Sequence, residues 1–575
     1  MRPVLLITLV FLAYLIWVEW QKDYGPAPAA PAQSTQTESA DVPGGAIPDV
    51  PGLSESADGV PGADLPAELP EDLPDLEEAV AAPTAPRAAA PQPQSEPERI
   101  IEVTTDVLRL EIDLKGGTVV SASLLNYSQT VEDPEEKVVL LQPSGPAMFI
   151  AQSGLLSHQS APNHVSLYSS TRRSWNLGDA DELQVPLTWQ SDDGVEVTKT
   201  FVLKRGGYDI TVRHAVSNRS DVAWLGSRYD QLQRAVPSDD NGGGFNNPER
   251  YSFKGIAFYD PEDKFQKVDF EDIADEPFKK TVSGGWLAMV QHYFFAAWIP
   301  PHDEQATYST QLVTSNGRPR YIARDVSPAV QISPAGSTVF ESRLYVGPKL
   351  QDELPEVAPG LEHTVNYGIF TVFSKPLFWL LEKIHEFVGN WGWAIVILTI
   401  IIKLAFFKLT EAQFRSTARM RKLQPRIEQL KERYGDDRQK MSQAMMDLYK
   451  KEKVNPFGGC LPILVQIPIF IALYWVLIES VELRQTPFIL WIQNLSARDP
   501  YFILPALNAV FMIATQRLTP TMGMDPVQRK MMNAMPIVFS VLFAFFPAGL
   551  VLYWATNAGL SLAQQLYITR KIENS

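Results

Sequence analysis

The 575-residue sequence contains one cysteine, Cys460, so no intrachain disulfide can brace it, and any exported part must fold by burying a core. All seven histidines, His158, His164, His214, His292, His302, His363 and His385, precede Trp391 and leave the hydrophobic C-terminal third without one. A histidine-ligated metal or histidine proton relay at membrane depth is thereby excluded. No Gly-x-x-x-x-Gly-Lys-Ser/Thr loop, no His-Glu-x-x-His and no Gly-x-Ser-x-Gly occurs, so nucleotide, metalloprotease and serine hydrolase chemistry have no foothold. The pattern points to no cofactor and to a protein that is not an enzyme. Asp and Glu are missing from the C-terminal hydrophobic runs, with Glu411, Glu479 and Glu482 only at their edges. A proton-coupled transporter normally needs such an intramembrane carboxylate, which weighs against that class.

What is present differs sharply from one region to the next. Residues Val4 to Trp17 form an apolar run behind Arg2 and fit a signal peptide or an uncleaved anchor. Glu19, Trp20 and Lys22 follow in place of a small-x-small cleavage site, which favours an anchor over 1–20 with the next segment exported. From Lys22 to Glu98 there are 15 acidic residues against two basic ones, and 15 of the 45 prolines. This stretch, 21–98, cannot bury enough surface to offset the cost of ordering and reads as a disordered tether. This stretch supplies about −13 of the formal net charge of −16, so the acidity belongs to it and says little about partners.

From residue 99 to 349 the pattern has period two: Leu108 to Leu114 alternates without a break, and Val195-Glu196-Val197 and Ile210-Thr211-Val212 repeat the signal. Turns at Lys115-Gly116-Gly117, Asp193-Gly194 and Arg205-Gly206-Gly207 punctuate it, and the sum predicts an antiparallel β-sandwich. Its aromatic, His and Asp residues could line a carbohydrate or peptide groove, or serve only as core and loops. Residues 350–390 read as a connector ending in an amphipathic interfacial helix, with Leu377, Leu380, Leu381, Ile384 and Val388 on one side and Glu382, Lys383 and Glu386 on the other.

The core, 391–575, begins with Trp391 to Lys408, long enough to cross a bilayer yet carrying Lys403, with Thr399 one turn away on the same face. A charge at that depth costs about 2.5–3.5 kcal/mol on insertion scales, so it should face water or a partner. A basic helical hairpin at 411–455 follows, read as helix to Tyr434 with Gly435 as stop and Asp436 as the next N-cap. Twelve Lys or Arg against seven Asp or Glu between Thr410 and Asn455 place it in the cytoplasm, either by topology alone or as a docking face for ribosome or anionic lipid. Met420, Met441, Met445 and Met446 fit hairpin packing or an adaptable contact face. Hydrophobic segments at Leu461 to Ile478, Tyr501 to Gln516 and Met532 to Gln565, the last split by Phe546-Pro547-Ala548-Gly549, bring the core to five crossings and the chain to six. Sixteen helical residues reach about 24 Å, short of the ~30 Å hydrocarbon core, which predicts a locally thinned bilayer. Gln466, Asn508, Thr515, Gln516, Asn557 and Ser561 lie at comparable depths and, with Lys403, suggest a hydrophilic pocket.

The runs Lys453-Val-Asn-Pro-Phe-Gly-Gly-Cys-Leu-Pro-Ile-Leu-Val-Gln-Ile-Pro-Ile-Phe470, Val481-Glu-Leu-Arg-Gln-Thr-Pro-Phe488 and Phe546-Pro-Ala-Gly-Leu-Val-Leu-Tyr-Trp554 closely resemble the YidC/Oxa/Alb family of membrane protein insertases. The anchor, tether and β-domain resemble its Gram-negative form, with a periplasmic β-super-sandwich. The resemblance implies an α-helical polytopic protein of the inner membrane that inserts and helps fold nascent membrane proteins without nucleotide hydrolysis. It implies a substrate groove at Lys403, Thr399, Gln466, Asn508, Gln516, Trp554 and Asn557, and hairpin contacts at Arg415, Arg419, Arg421, Lys422 and Arg426. Nascent membrane proteins, lipids, the Sec translocon and the ribosome are the implied partners, with no sequence-specific nucleic acid. Family members commonly carry arginine where this chain has Lys403, and tyrosine where it has Trp554. Lysine keeps the charge but loses the bidentate fork. A small-solute or anion transporter that binds its cargo on Lys403 is the alternative reading, and a folding chaperone is a third.

Overall fold

The structure, a computed structural model, describes residues 99–236, 252–315, 318–434, 437–452, 461–518 and 526–573. The anchor and tether expected over 1–98 lie outside these residues, as do Cys460, Gly435, Asp436 and the first part of the Lys453 motif.

Residues 99–349 fold into two packed sheets, and 350 onward is helical with short connections. The larger sheet runs Lys279–Ser283, Gln305–Ser315, Arg318–Val326, Trp224–Ala235, Phe149–Ser157, Thr118–Ser128, Leu108–Asp113, Ile100–Thr104 and Ser174–Asn176. The smaller runs Lys264–Val268, Gly255–Asp260, Trp286–Val290, Phe294–Ile299, Ser337–Pro348, Asp209–Asn218, Val195–Lys204 and Glu182–Gln190. Every described strand pairing is antiparallel except one: Ser174–Asn176 joins the edge at Ile100–Thr104 in parallel, after a long excursion of the chain. Alternation marks the half-covered strands, as in Leu108–Asp113, where Arg109 and Glu111 point outward. Trp286–Val290 and Phe294–Ile299 are buried at every position and read as continuous apolar runs. Their outer side is covered by the connector, where the Trp286 indole donates to the Pro359 carbonyl at 3.0 Å and Arg343 to the Val357 carbonyl at 2.7 Å.

One continuous buried cluster extends from Ile101 in the sandwich through Leu354, Leu361 and Tyr367 of the connector to Leu398, Leu473 and Tyr553 among the helices. The helices are α1 (Leu354–Val357), α2 (Thr371–Val388), α3 (Trp391–Ala405), α4 (Phe407–Lys422), α5 (Gln424–Tyr434), α6 (Arg438–Lys451), α7 (Leu461–Glu479), α8 (Ile503–Leu518), α9 (Pro526–Phe543) and α10 (Ala548–Glu573). Helix α2 ends on Gly389 in the left-handed region, φ 67°, and Asn390 caps α3 by accepting the Trp393 amide at 3.1 Å.

The stretch from Trp391 to Lys408 is not one straight helix. It breaks at Phe406, and the two arms bend by 61°. The Thr410 hydroxyl back-bonds to the Phe406 carbonyl at 3.1 Å, a competitor for the helical ladder that bends helices. Taken together those arms are apolar and long enough for a broken span; among the described residues no single helix is.

The basic hairpin departs from its sequence reading in two places. Its first arm breaks at Leu423, ahead of Pro425, which has no amide to continue the ladder. The N-cap of the return arm is Asp437, whose carboxylate accepts the Gln439 and Lys440 amides, and not Asp436. Leu423 and Ile427 close the hairpin against Met445, Leu448 and Tyr449, so Met445 packs while Met446 is exposed. Ala548 and Gly549, expected in a turn, already belong to α10. Their amides donate to the Ala497 and Leu495 carbonyls at 2.6 and 2.9 Å, which satisfies the helix start.

Candidate functional site

Helix α3 has two unlike sides. Ile395, Leu398, Thr399, Ile402 and Lys403 are buried, while Ile400, Ile401 and Leu404 are exposed. Lys403 is therefore directed inward, only 6% exposed, and its ammonium donates to the Ser561 hydroxyl of α10 at 2.8 Å. Ser561 in turn donates to the Asn557 carbonyl at 2.7 Å, and the Asn557 side chain accepts from Gln466 of α7 at 3.2 Å. Tyr553 hydrogen-bonds Gln466 as well. Tyr553, Asn557 and Ser561 are spaced at i, i+4 and i+8, so one face of α10 carries a polar row between α3 and α7. Among the described residues no carboxylate pairs with Lys403.

The expected pocket residues divide accordingly. Lys403, Gln466 and Asn557 come together, joined by Ser561. Thr399 is on the same buried face, but its hydroxyl bonds the Ile395 carbonyl of its own helix at 2.7 Å. Asn508 is buried on α8 with its amide on Met512 Sδ at 3.4 Å, and Gln516 is half-buried two turns further on. Neither is joined to Lys403 by a contact of this set. Trp554 points elsewhere: it stacks on Phe543 at 3.6 Å and on Phe470 at 5.0 Å, with Phe546 edge-on at 5.6 Å. Tyr553, absent from the sequence-based set, is signalled by its four-residue spacing from Asn557.

On the hairpin, Arg415 pairs with Glu411 at 3.0 Å and Arg426 pairs with Glu452. The side chains of Arg419, Arg421 and Lys422 lie outside the described residues. On α2, Val372, Phe373, Trp379 and Phe387 are exposed, while Phe378 and Leu381 pack inward. The apolar side read from the sequence, Leu377, Leu380, Leu381, Ile384 and Val388, packs on the protein core. The exposed side mixes Val372, Phe373, Trp379 and Phe387 with Lys375, Lys383 and Glu386, a composition compatible with a lipid headgroup surface.

A two-sheet domain joined to helices with apolar outer faces around a polar seam fits a membrane protein with a large domain outside the bilayer. Two family models match in tandem, the YidC periplasmic domain over residues 100–380 and the 60Kd inner membrane protein over 383–575. The membrane protein insertase YidC of Thioalkalivibrio sulfidiphilus is 48% identical over 100% of this chain and 99% of its own length. That of Nitrosococcus oceani is 46% identical, again over 100% and 99%. A solved structure of an active YidC insertase with its first transmembrane domain resolved aligns over 82% of this chain and 92% of that one, at 21% identity and a TM-score of 0.37. The chain belongs to the YidC family of membrane protein insertases. It is an inner-membrane protein, and its sandwich is the periplasmic domain.

Proposed function

We propose that the chain works as a membrane protein insertase whose polar pocket around Lys403 receives the hydrophilic flank of a nascent membrane protein while the client's apolar segment moves sideways into lipid. The observation that carries this reading is the Lys403–Ser561 contact at 2.8 Å, continued by Asn557 and Gln466, with no acid to neutralise the ammonium among the described residues. A cation held by neutral hydroxyl and amide groups keeps its charge available to an acidic client tail. Asn508, Gln516 and Thr399 extend the polar surface, and Trp554 with its aromatic neighbours forms an apolar wall beside it.

The division of labour follows the domains: anchor 1–20, tether 21–98, periplasmic sandwich 99–349, connector and interfacial helix 350–390, and an insertase core 391–575. The core crosses five times, through α3, α7, α8, α9 and α10, with the hairpin 411–455 in the cytoplasm. Helix α8 has 16 residues, about 24 Å, so the bilayer thins beside it. No nucleotide is needed. Some twenty apolar client residues at about −0.3 to −0.6 kcal/mol each supply roughly −6 to −12 kcal/mol, enough to draw a short polar tail through a thin, wet region. The hairpin's arginines and Lys422 meet the ribosome or anionic lipid, and the Sec translocon is a further partner.

A photocrosslinker at Gln466 tests the pocket. It captures a stalled nascent membrane protein under this reading; labelling of lipid alone counts against it.

A further inference from the structure

The sandwich is fastened to the helices through the first residues of its connector and directly through Ser252 and His292. Where α7 ends, the Gln351 amide donates to Glu482 at 3.1 Å and its side chain to the Ser480 hydroxyl at 3.3 Å, while the Tyr367 hydroxyl donates to Gln351 at 2.6 Å. Asp352 and Glu482 both act on the Glu382 carboxyl of α2, and Asp352 acts on Glu482 as well. One carboxyl oxygen each of Glu382 and Glu482 is buried with no hydrogen-bond partner. Beside them, His292 from the sandwich contacts the Ile478 carbonyl at 3.1 Å, and Ser252 donates to Glu479 at 3.4 Å.

Three carboxyl groups thus meet in one seam, with Glu353 and Glu356 of the connector behind them. Among the neighbouring cations, Lys383 pairs with Glu386 at 2.6 Å and also acts on Glu382 and Asp352, opposing the rise of Glu382. Lys349 and Lys267 act on Glu479, and Arg484 donates to the Gln129 carbonyl at 3.2 Å over the Phe294 ring. Tyr127 and Tyr367 remain neutral phenols, and burial keeps His292 neutral as well.

We propose that this seam is a proton-operated latch: protonated Glu382 and Glu482 hold the periplasmic sandwich on the helices, and loss of those protons loosens it. Burial, the first cause, and the nearby Asp352 raise both carboxyls above their usual range, Glu482 to about 7. The docked form therefore keeps protons that the separated form releases. Docking is strongest below the ordinary carboxyl value of 4.5 and weakens as pH rises to about 7, after which the loss is constant. Each group changes the docked-to-free ratio by at most about tenfold per pH unit in that window.

The test uses the full chain in lipid nanodiscs, with Cys460→Ser and spin labels at Val222→Cys on the sandwich and Tyr501→Cys at the head of α8, both exposed sites. A single narrow label-to-label distance is expected near pH 5, and a docked-to-free ratio lower by about tenfold or more near pH 8. With Glu382→Gln and Glu482→Gln together, the distance stays narrow at both. Equal distributions at the two pH values overturn the proposal, as does a pH response that survives both substitutions. Glu382→Gln alone, which leaves the Gln351–Glu482 contact in place, must show a smaller response than the unaltered chain. An undiminished one overturns the latch even if the double variant does not fold. The readout is a distance, so its failure leaves the insertase reading untouched.

Discussion

The Lys403 ammonium reaches across 158 residues of sequence to the Ser561 hydroxyl, 2.8 Å away on a different helix. That contact ties α3 to α10 and hands the charge to a hydroxyl in place of an acid.

Replacing the ammonium removes the charge and keeps the packing. Lys403→Met is expected to lower insertion of clients with acidic exported tails by about tenfold, the weight of one charge-assisted hydrogen bond. Clients with neutral tails are expected to change little. Lys403→Arg should retain most of the activity, and pulse-labelled insertion of the two client classes distinguishes these outcomes.

The Gln466–Asn557 contact stitches α7 to α10. Asn557→Leu leaves Gln466 without that acceptor and should cost about 0.6–1.7 kcal/mol, the range measured for interhelical hydrogen bonds in membranes. Unfolding in mixed detergent micelles measures the loss.

Arg228 is fully buried in the sandwich, bonded to Asp230, to Asp325 at 3.0 Å and to Glu304 at 2.5 Å. Arg228→Met strands buried carboxylates and should cost about 3–5 kcal/mol at neutral pH. Burial already holds Asp325 above its usual range, so the stranded acids take up protons readily. The deficit, read from urea unfolding, should therefore shrink as pH falls toward 5.

Lys199 sits in the core with its ammonium on the Gly116, Gly117 and Ser153 carbonyls at 3.0, 2.9 and 3.0 Å. Burial lowers it from 10.5 to about 7, so between those values the unfolded chain binds the extra proton and stability rises with pH. Below about 7 the penalty is constant. Hydrogen exchange in the strand Val195–Lys204, corrected for intrinsic rates, should show protection increasing from pH 7 to 9, and Lys199→Met should remove that slope.

The exposed apolar residues of α2 predict depth. A spin label at Phe387→Cys should collide with lipid-dissolved oxygen, and one at the exposed Val222→Cys on the sandwich with a water-soluble relaxer. Equal aqueous access at both positions contradicts an interfacial helix.

Much of this was legible from local pattern. Period-two alternation located strands such as Leu108–Asp113, and apolar length located α7 to α10, because burial on one face writes itself into spacing. Trp286–Val290 and Phe294–Ile299 carry no alternation since the connector covers their second face, a fact about residues 350–365 that no window on the strands contains. The inward aim of Lys403 could be argued from its charge, but its partner Ser561 could not be singled out from several polar residues of equal depth. The surroundings of Trp554 were hidden for a related reason: its motif fixes the helix but not the rotamer that turns the ring onto Phe470 and Phe543. The break at Phe406 is marked in the sequence only by the back-bonding threonine Thr410, too small a signal to outweigh an unbroken apolar run.

The central claim is insertion through a charged polar pocket without fuel. Purified chain alone, reconstituted into nucleotide-free vesicles, should insert a short client with an acidic exported tail, and Lys403→Met should cut that yield by about tenfold. No insertion by the unaltered chain, or an equal yield with Lys403→Met, contradicts it.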